Sequence, residues 1–226
     1  MPEAYYKLGH TYVEEEDYAE AIQQFKTAID IDQSYTDAYY HIGEIYGLHL
    51  SELGDALEFL NKAIELEPKH LLAHSCLGQV YFDEAQLSVE LARNIAADIY
   101  GFSDPEAKQL WQEGKNQLYE GNLNKAFELF ESGYLKDPDS RMILYYRATI
   151  YAQWSHYYFN KAVQISSSDT NAYHALSRVF SLLGEIYESI GRNPKKQAQV
   201  RDPEKDRKLQ LEDSDELADL IDELDI

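Results

Sequence analysis

The sequence contains little cysteine, proline and glycine, and it has about half as many basic residues as acidic ones. Its 226 residues include one cysteine, six prolines and 11 glycines. The single cysteine, Cys76, excludes an internal disulfide framework and favours a reducing compartment. The low proline and glycine content argues against a low-complexity chain. The longest apolar runs are too short to span a bilayer.

The shortage of basic residues also limits the classes of partner. Lys and Arg number 20 against 41 Asp and Glu, which gives a net charge of −21. We therefore expect no nucleic-acid partner, because nucleic-acid binding depends on cations that neutralise phosphates. The same charge would repel an anionic membrane surface. The first ten residues lack the basic and apolar segments of a secretory signal, so we expect a cytoplasmic protein, or a nuclear one in a eukaryote.

What the sequence does contain is an internal repeat with a period of about 34 residues. Gly9 recurs as Gly43 and Gly78. The second half of each unit carries a set of its own, because Ala21, Phe25 and Ala28 recur as Ala56, Leu60 and Ala63. A later unit repeats this set with Ala126, Phe130, Gly133 and Pro138.

These residues resemble the pattern of the tetratricopeptide repeat family. In that pattern Leu-Gly-x2-Tyr is followed by Ala-x3-Phe and then by Pro. The first unit matches it with Leu8, Gly9, Tyr12, Ala21 and Phe25. The resemblance implies an all-α fold, a right-handed superhelix of antiparallel helix pairs, which is a solenoid with a binding groove on its concave side.

The repeat pattern divides the chain into eight segments. They are repeat one (2–35), repeat two (36–70), a degenerate repeat three (71–106), repeat four (107–140), a shortened repeat five (141–169), a capping helix (170–192), a charged linker (193–212) and an acidic tail helix (213–226). "SDPE" predicts a helix start, with Asp104 as N-cap and Pro105 as the first helical residue.

Two of these segments depart from the repeat pattern. We expect repeat three to have a separate second helix, "LSVELARNIAADIYG", which lacks the Phe. We expect two closely joined helices in repeat five, with irregular packing at Arg147, where the family has an apolar residue. In segment 170–192, by contrast, an unbroken apolar stripe predicts one continuous helix through Gly184, which would cap the stack.

The acidic tail contains a regular apolar stripe. Asp213 is a candidate N-cap with Glu216 three residues later. The tail docking residues Leu217, Leu220, Ile221 and Leu224 follow at i, i+3, i+4 and i+7, on one helical face. A helix of this length is marginal alone, so we expect it to form mainly when docked. The alternative is a disordered acidic tail that maintains solubility.

The resemblance implies that binding residues lie on the first helix of each unit, on the concave side. By register these partner-binding residues are Tyr6, His10, Tyr40, Glu44, Gln79, Phe82, Trp111, Lys115, Tyr145 and Arg178. Aromatic side chains suit a peptide groove because rings bury area at low entropy cost. The alternative for each ring is packing between neighbouring repeats.

No other motif indicates chemistry. His70 and His74 have i, i+4 spacing, but one lies at a turn, and we expect no metal. Cys76 is expected to be a buried, inert thiol. The sequence has no glycine-rich phosphate loop, no G-x-S-x-G motif and no paired cysteine motif, so we expect no enzyme and no cofactor. One subfamily binds acidic chaperone C-termini through a Lys and Asn clamp, which the matching positions here lack.

Three functional hypotheses follow, and a small enzyme of unknown type is the rival class. The leading one is a protein-interaction scaffold, an adaptor or chaperone-like assembly factor that binds a partner segment in the concave groove. In the second, the tail helix is the docking element for a basic or hydrophobic-grooved partner. In the third, the tail occupies its own groove near Lys108, Lys115 and Arg178. We also expect that the protein can form homo-oligomers through its uncapped first repeat.

Overall fold

The computed structural model describes residues 1–95 and 102–191, and this part of the chain is all α-helical. The helices are α1 (Pro2–Glu14), α2 (Tyr18–Ile31), α3 (Thr36–Glu44, continued by a π-helical turn, Ile45–His49), α4 (Leu53–Leu66), α5 (Leu71–Asn94), α6 (Pro105–Tyr119), α7 (Leu123–Lys136), α8 (Arg141–Ile165) and α9 (Thr170–Ser189). The predicted linker and the predicted tail helix lie outside the described residues. None of the described helices combines the length and the apolar composition that crossing a bilayer requires.

Polar side chains cap several helices at their N-termini. The Asp104 carboxylate accepts from the backbone N–H groups of Glu106 and Ala107, and Pro105 opens α6, as predicted. Asp17 caps α2 by accepting from the N–H of Glu20, and Asp169 caps α9. These caps fix where each helix begins because they satisfy backbone donors that have no partner inside the helix.

Three helix pairs follow one packing rule. A Cβ atom added at Gly9 would lie 2.6 Å from the Phe25 ring, and one at Gly114 would lie 2.7 Å from the Phe130 ring. Gly43 has the same relation to Leu60, at 2.6 Å. The absence of a side chain on the first helix therefore lets the second helix approach. This rule joins α1 to α2, α3 to α4 and α6 to α7, and it confirms the predicted superhelix of antiparallel pairs.

The expected division of repeat three into two helices is wrong, because α5 continues to Asn94 without a turn. The residues that were expected to open a second helix lie inside α5. No glycine or proline interrupts the segment after Tyr81, and the buried stripe simply continues through Ala85, Val89 and Ala92. Residues 96–101 of that expected helix lie outside the described residues.

Repeat five is likewise one helix, α8, and not a shortened pair. α8 is buried on nearly every side because α5, α9, α7 and α6 all pack against it, α5 most extensively. Arg147, expected to disturb the packing, is accommodated by an ion pair with Glu131. Its guanidinium also lies 4.2 Å from the centre of the Tyr134 ring.

The second half of α8 supplies the helix that repeat three lacks. A Cβ atom at Gly78 would lie 2.9 Å from the Phe159 ring, which is the relation found in the other three pairs. The Ser155 hydroxyl donates to the Gly78 carbonyl oxygen at 2.7 Å, across 77 residues of sequence. Ser155 and Phe159 stand where Ala21 and Phe25 stand in repeat one. Repeat three is therefore split between α5 and α8. The residues between its two halves, which include α6 and α7, form an insertion.

The superhelix resumes at α9. This helix runs unbroken through Gly184 and buries Ala172, Leu176 and Val179. It packs on α8 and α5. The order of first helices along the superhelix is therefore α1, α3, α5 and α9, although long sequence separates the last two.

Candidate functional site

Two positions on each first helix form the candidate surface, which we call the inner surface. They are spaced four residues apart and come from equivalent places in the repeat. They are Tyr6 and His10 on α1, Tyr40 and Glu44 on α3, Ser75 and Gln79 on α5, and His174 and Arg178 on α9. Five of the ten predicted residues (Tyr6, His10, Glu44, Gln79 and Arg178) lie on this surface and are at least partly exposed.

The first group of inner residues lies between α1 and α3, with His41 at its centre. His41 Nε2 lies 3.2 Å from the Tyr6 hydroxyl, and His41 Nδ1 lies 2.9 Å from a Glu44 carboxylate oxygen. With Nδ1 donating to Glu44, Nε2 accepts from Tyr6. The His10 ring meets the His41 ring edge to face, with centres 4.3 Å apart. This network holds the side chains of two repeats in fixed orientations.

Burial and charge shift the pKa values of this group. Burial, helped by the nearby charge of Asp37, raises the pKa of Tyr6 to about 12, so its hydroxyl remains protonated. Burial lowers the pKa of His10, and the neighbouring His41 lowers it further. Burial alone would raise the pKa of Glu44, but hydrogen bonds from His41 and Tyr40 outweigh it and lower that pKa. The group therefore presents a charged Glu44 carboxylate, together with a His10 imidazole whose pKa lies below its ordinary value.

Three predicted binding residues are buried and serve packing. Tyr40, Phe82 and Tyr145 are 6%, 3% and 4% exposed. The Tyr40 hydroxyl donates to Glu44, and the Phe82 ring lies under the Arg178 guanidinium at 4.3 Å. For these three rings the alternative of packing between helices is what the structure shows, because neighbouring helices cover the faces that would meet a ligand.

The second group of inner residues forms a pocket of about 350 Å³ between α5 and α9. Its polar lining comprises Ser75, Gln79, Asn171, His174 and Arg178, and its apolar lining comprises Phe159, Ala172 and Ala175. The Gln79 amide donates to Asp83 at 2.7 Å, which orients it at the edge of the pocket. An apolar floor with a few polar groups is the usual composition of a ligand site.

The last two predicted residues, Trp111 and Lys115, lie on the insertion and not on the inner surface. The centre of the Trp111 ring lies 5.2 Å from that of the Phe102 ring and 5.8 Å from that of the Tyr146 ring. The Lys115 ammonium group lies 5.1 Å from the centre of the Trp111 ring. Their helix, α6, packs on α7 and α8. Their place in repeat four predicted a position in the superhelix. Because repeat four lies in the insertion, these two residues do not reach the inner surface.

The other side chains singled out from sequence have structural partners. The His70 side chain caps α5 by accepting from the N–H of Ala73, and its Nε2 lies 3.1 Å from Asp37. His74 Nε2 lies 3.0 Å from the Pro68 carbonyl oxygen. Cys76 is 5% exposed, and burial raises the pKa of its thiol. In residues 1–95 and 102–191 no group of three or more His, Cys, Asp or Glu residues could hold a metal ion.

Sequence comparison identifies the repeats. Residues 9–49 match a family model described as a TPR repeat, and residues 36–70 match one described as a tetratricopeptide repeat. No curated protein sequence matches the chain.

Several solved structures are similar in fold. A thermophilic TPR protein of Thermus thermophilus is 19% identical, with 96% of this chain and 100% of that chain covered, at a TM-score of 0.34. YrrB, described as a TPR protein with an unusual peptide-binding site, is 21% identical over 76% of this chain and 89% of its own, at 0.33. Yeast Tom70 is 16% identical over 80% of this chain and 51% of its own, at 0.31.

Proposed function

Because this chain belongs to the tetratricopeptide repeat family, we propose that it is a non-enzymatic interaction scaffold that binds a segment of a partner protein along its inner surface. Tetratricopeptide repeats form a protein-interaction fold, which supports a protein as the partner. We propose further that the chain acts as an adaptor or assembly factor in the cytoplasm, needs no cofactor, and binds neither nucleic acid nor membranes. The single buried cysteine and the net charge of −21 support these choices.

The observation that carries the proposal is the pocket between α5 and α9. Its floor, Phe159 with Ala172 and Ala175, is apolar, whereas Gln79 and Arg178 supply hydrogen-bond donors at its edge. An extended segment needs both, because an anchor side chain must bury apolar area while its backbone carbonyls find donors. Arg178 is well suited to the second task, since its guanidinium is already held on the Phe82 ring.

The group between α1 and α3 supplies a second point of contact on the same surface. Tyr6, His10 and Glu44 are each partly exposed, and contacts with His41 hold all three in place. A surface that is ordered before binding loses little side-chain entropy on binding, which favours affinity. A segment lying across α1, α3, α5 and α9 would meet this group at one end and the pocket at the other.

Selection of binding peptides from a displayed library, with the full-length protein as target, tests the proposal. We expect selected peptides to lose binding by about tenfold or more with Gln79→Ala combined with Arg178→Ala, which corresponds to about 1.4 kcal/mol. The matched control, Gln112→Ala combined with Lys125→Ala, changes an amide and a cation on the inserted pair and should leave affinity unchanged. If the selected peptides bind both double variants as tightly as the wild type, the inner surface is not the binding site.

A second proposed property, self-association, is supported by the first repeat. Leu8 is 41% exposed, whereas its equivalents Ile42 and Leu77 are fully buried. α1 thus leaves uncovered a face that is covered in the next two first helices. We expect sedimentation analysis to show a concentration-dependent dimer that Leu8→Lys abolishes. The distant control Leu135→Lys, at a residue that is 80% exposed, should not change it.

A further inference from the structure

α9 is the first helix of the unit that follows the split repeat, and it carries an uncovered stripe. Tyr173 and Phe180 are 50% and 51% exposed, and Ser177 between them is exposed as well. Gly184 continues the stripe, and a Cβ atom there would meet nothing within 4 Å. The four residues lie at i, i+4, i+7 and i+11, which places them on one face of the helix.

In the preceding repeats a second helix covers this same stripe. On α3 the equivalent residues are Tyr39, Gly43 and Tyr46. Phe59 of α4 lies 6.3 Å from the Tyr39 ring and 5.8 Å from the Tyr46 ring, and Leu60 fills the space at Gly43. At the equivalent glycines, Phe25 of α2 covers Gly9 of α1, and Phe159 of α8 covers Gly78 of α5. Within residues 1–95 and 102–191, α9 alone among these four first helices has no such partner.

We propose that residues 213–226 dock on this stripe as the second helix of a fourth superhelical repeat. The support is a match of this segment to α2. Asp213 corresponds to Asp17, which caps α2. Glu216 corresponds to Glu20, whose backbone N–H donates to the Asp17 carboxylate. The four residues that α2 buries, Ala21, Ile22, Phe25 and Ala28, correspond to Leu217, Ala218, Ile221 and Leu224, all of them apolar.

The length of the segment fits this place. The second helices of the continuous pairs, α2, α4 and α7, have 14 residues each. With Asp213 as the N-cap, a helix over 214–226 has 13 residues, one fewer than these. Residues 192–212 connect it to α9, and a chain of this length extends to at most about 70 Å. The linker therefore reaches any point along α9, and tethering supplies an effective concentration in the millimolar range.

The chemistry of the segment also suits docking by one face. Leu217 and Leu224 are larger than the alanines they match, so each would bury more apolar area against the stripe. Asp219, Asp222 and Glu223 fall on the other side of the helix and would face solvent. An apolar face toward the protein and an acidic face toward solvent is the pattern of an amphipathic surface helix.

Disulfide trapping in the full-length protein tests this proposal, which does not depend on the proposed partner binding. Gly9 and Phe25 match Ser177 and Ile221, so cysteines at the latter two positions should approach closely enough to bond. In Ser177→Cys with Ile221→Cys we expect an intramolecular disulfide. Its formation should be about tenfold faster than in the control, Ser177→Cys with Glu223→Cys, where tethering is the same but the second cysteine faces away. Cys76 is buried and stays unchanged.

Each other outcome would overturn the proposal. A disulfide-linked dimer would place a second copy on the stripe, and equal rates in the two variants would show random encounter of a tethered segment. Hydrogen exchange gives a second measurement that needs no crosslink. Ile221→Asp should accelerate exchange across α9 by about tenfold, whereas Glu223→Gln should not. Unchanged α9 exchange in Ile221→Asp would also overturn the docking.

Discussion

A glycine-to-alanine substitution at position 78 tests the split repeat most economically. The added Cβ would lie 2.9 Å from two atoms of the Phe159 ring, and both residues are buried, so the ring or the helix must shift. Overpacking of this kind costs about 1–3 kcal/mol. Alanine also gains up to about 1 kcal/mol over glycine in a helix interior. We therefore expect Gly78→Ala to lower the free energy of unfolding by about 0–2 kcal/mol.

A double-mutant cycle separates the two effects. Phe159→Ala should destabilise the protein by about 3–5 kcal/mol because it leaves a cavity. In that background the new methyl group at position 78 enters empty space, and only the gain in helix propensity remains. Gly78→Ala should then stabilise the protein, which reverses the sign of its effect. The coupling energy between the two positions should reach about 1–3 kcal/mol.

Urea denaturation followed by far-ultraviolet circular dichroism measures all four corners of this cycle. Gly54→Ala is the matched control, since a Cβ atom there meets nothing within 4 Å and should not couple to Phe159→Ala. If Gly78→Ala and Phe159→Ala add to within about 0.5 kcal/mol, the two residues do not touch and the split repeat is refuted.

Two further predictions concern buried charge. Arg147→Met should cost about 1–3 kcal/mol in urea denaturation, less than a fully buried pair because Glu131 is one-third exposed, and Arg147→Met with Glu131→Leu should recover much of the loss; a double variant no more stable than the single one would contradict this. Burial lowers the pKa values of His10, His74 and His156, so the unfolded chain binds more protons than the folded one on acidification. The free energy of unfolding should therefore fall between about pH 7.5 and about pH 5.5, and an unchanged or rising value over that range would contradict the assignment.

Local sequence patterns predict the parts of the fold that form between neighbours in sequence. Gly9 with Phe25 and Gly43 with Leu60 belong to pairs whose spacing repeats along the chain, and Asp104 and Pro105 mark a helix start directly. The partner of Gly78 could not be predicted in this way. Ser155 and Phe159 carry the second-helix pattern, but periodicity assigns them to the helix just before them in sequence. Only packing shows that they form a helix pair with α5, where Gly78 lies 77 residues before Ser155.

The candidate site has the same limit. Register placed Gln79 and Arg178 on first helices, and the structure brings them to one pocket. Register could not separate them from Phe82, because exposure depends on which neighbour covers a side chain. The sequence prediction takes Arg178 from α9 but not His174, which lies four residues earlier on the same helix. The signal that could have revealed it is Ala172, which matches Ala38 and so aligns His174 with Tyr40.

The most direct test of the interrupted superhelix is to remove the interruption. In repeat one, residues 13–20 join Tyr12 to Ala21, and the equivalent residues of repeat three are Tyr81 and Ser155. Replacing residues 82–154 with a copy of residues 13–20 should therefore give a folded chain in which α1, α3, the first part of α5 and α9 follow one another. Hydrogen exchange should show protection in 71–81 and 155–189 comparable to that in 1–66. Rapid exchange in both of those segments, with 1–66 still protected, would contradict the account.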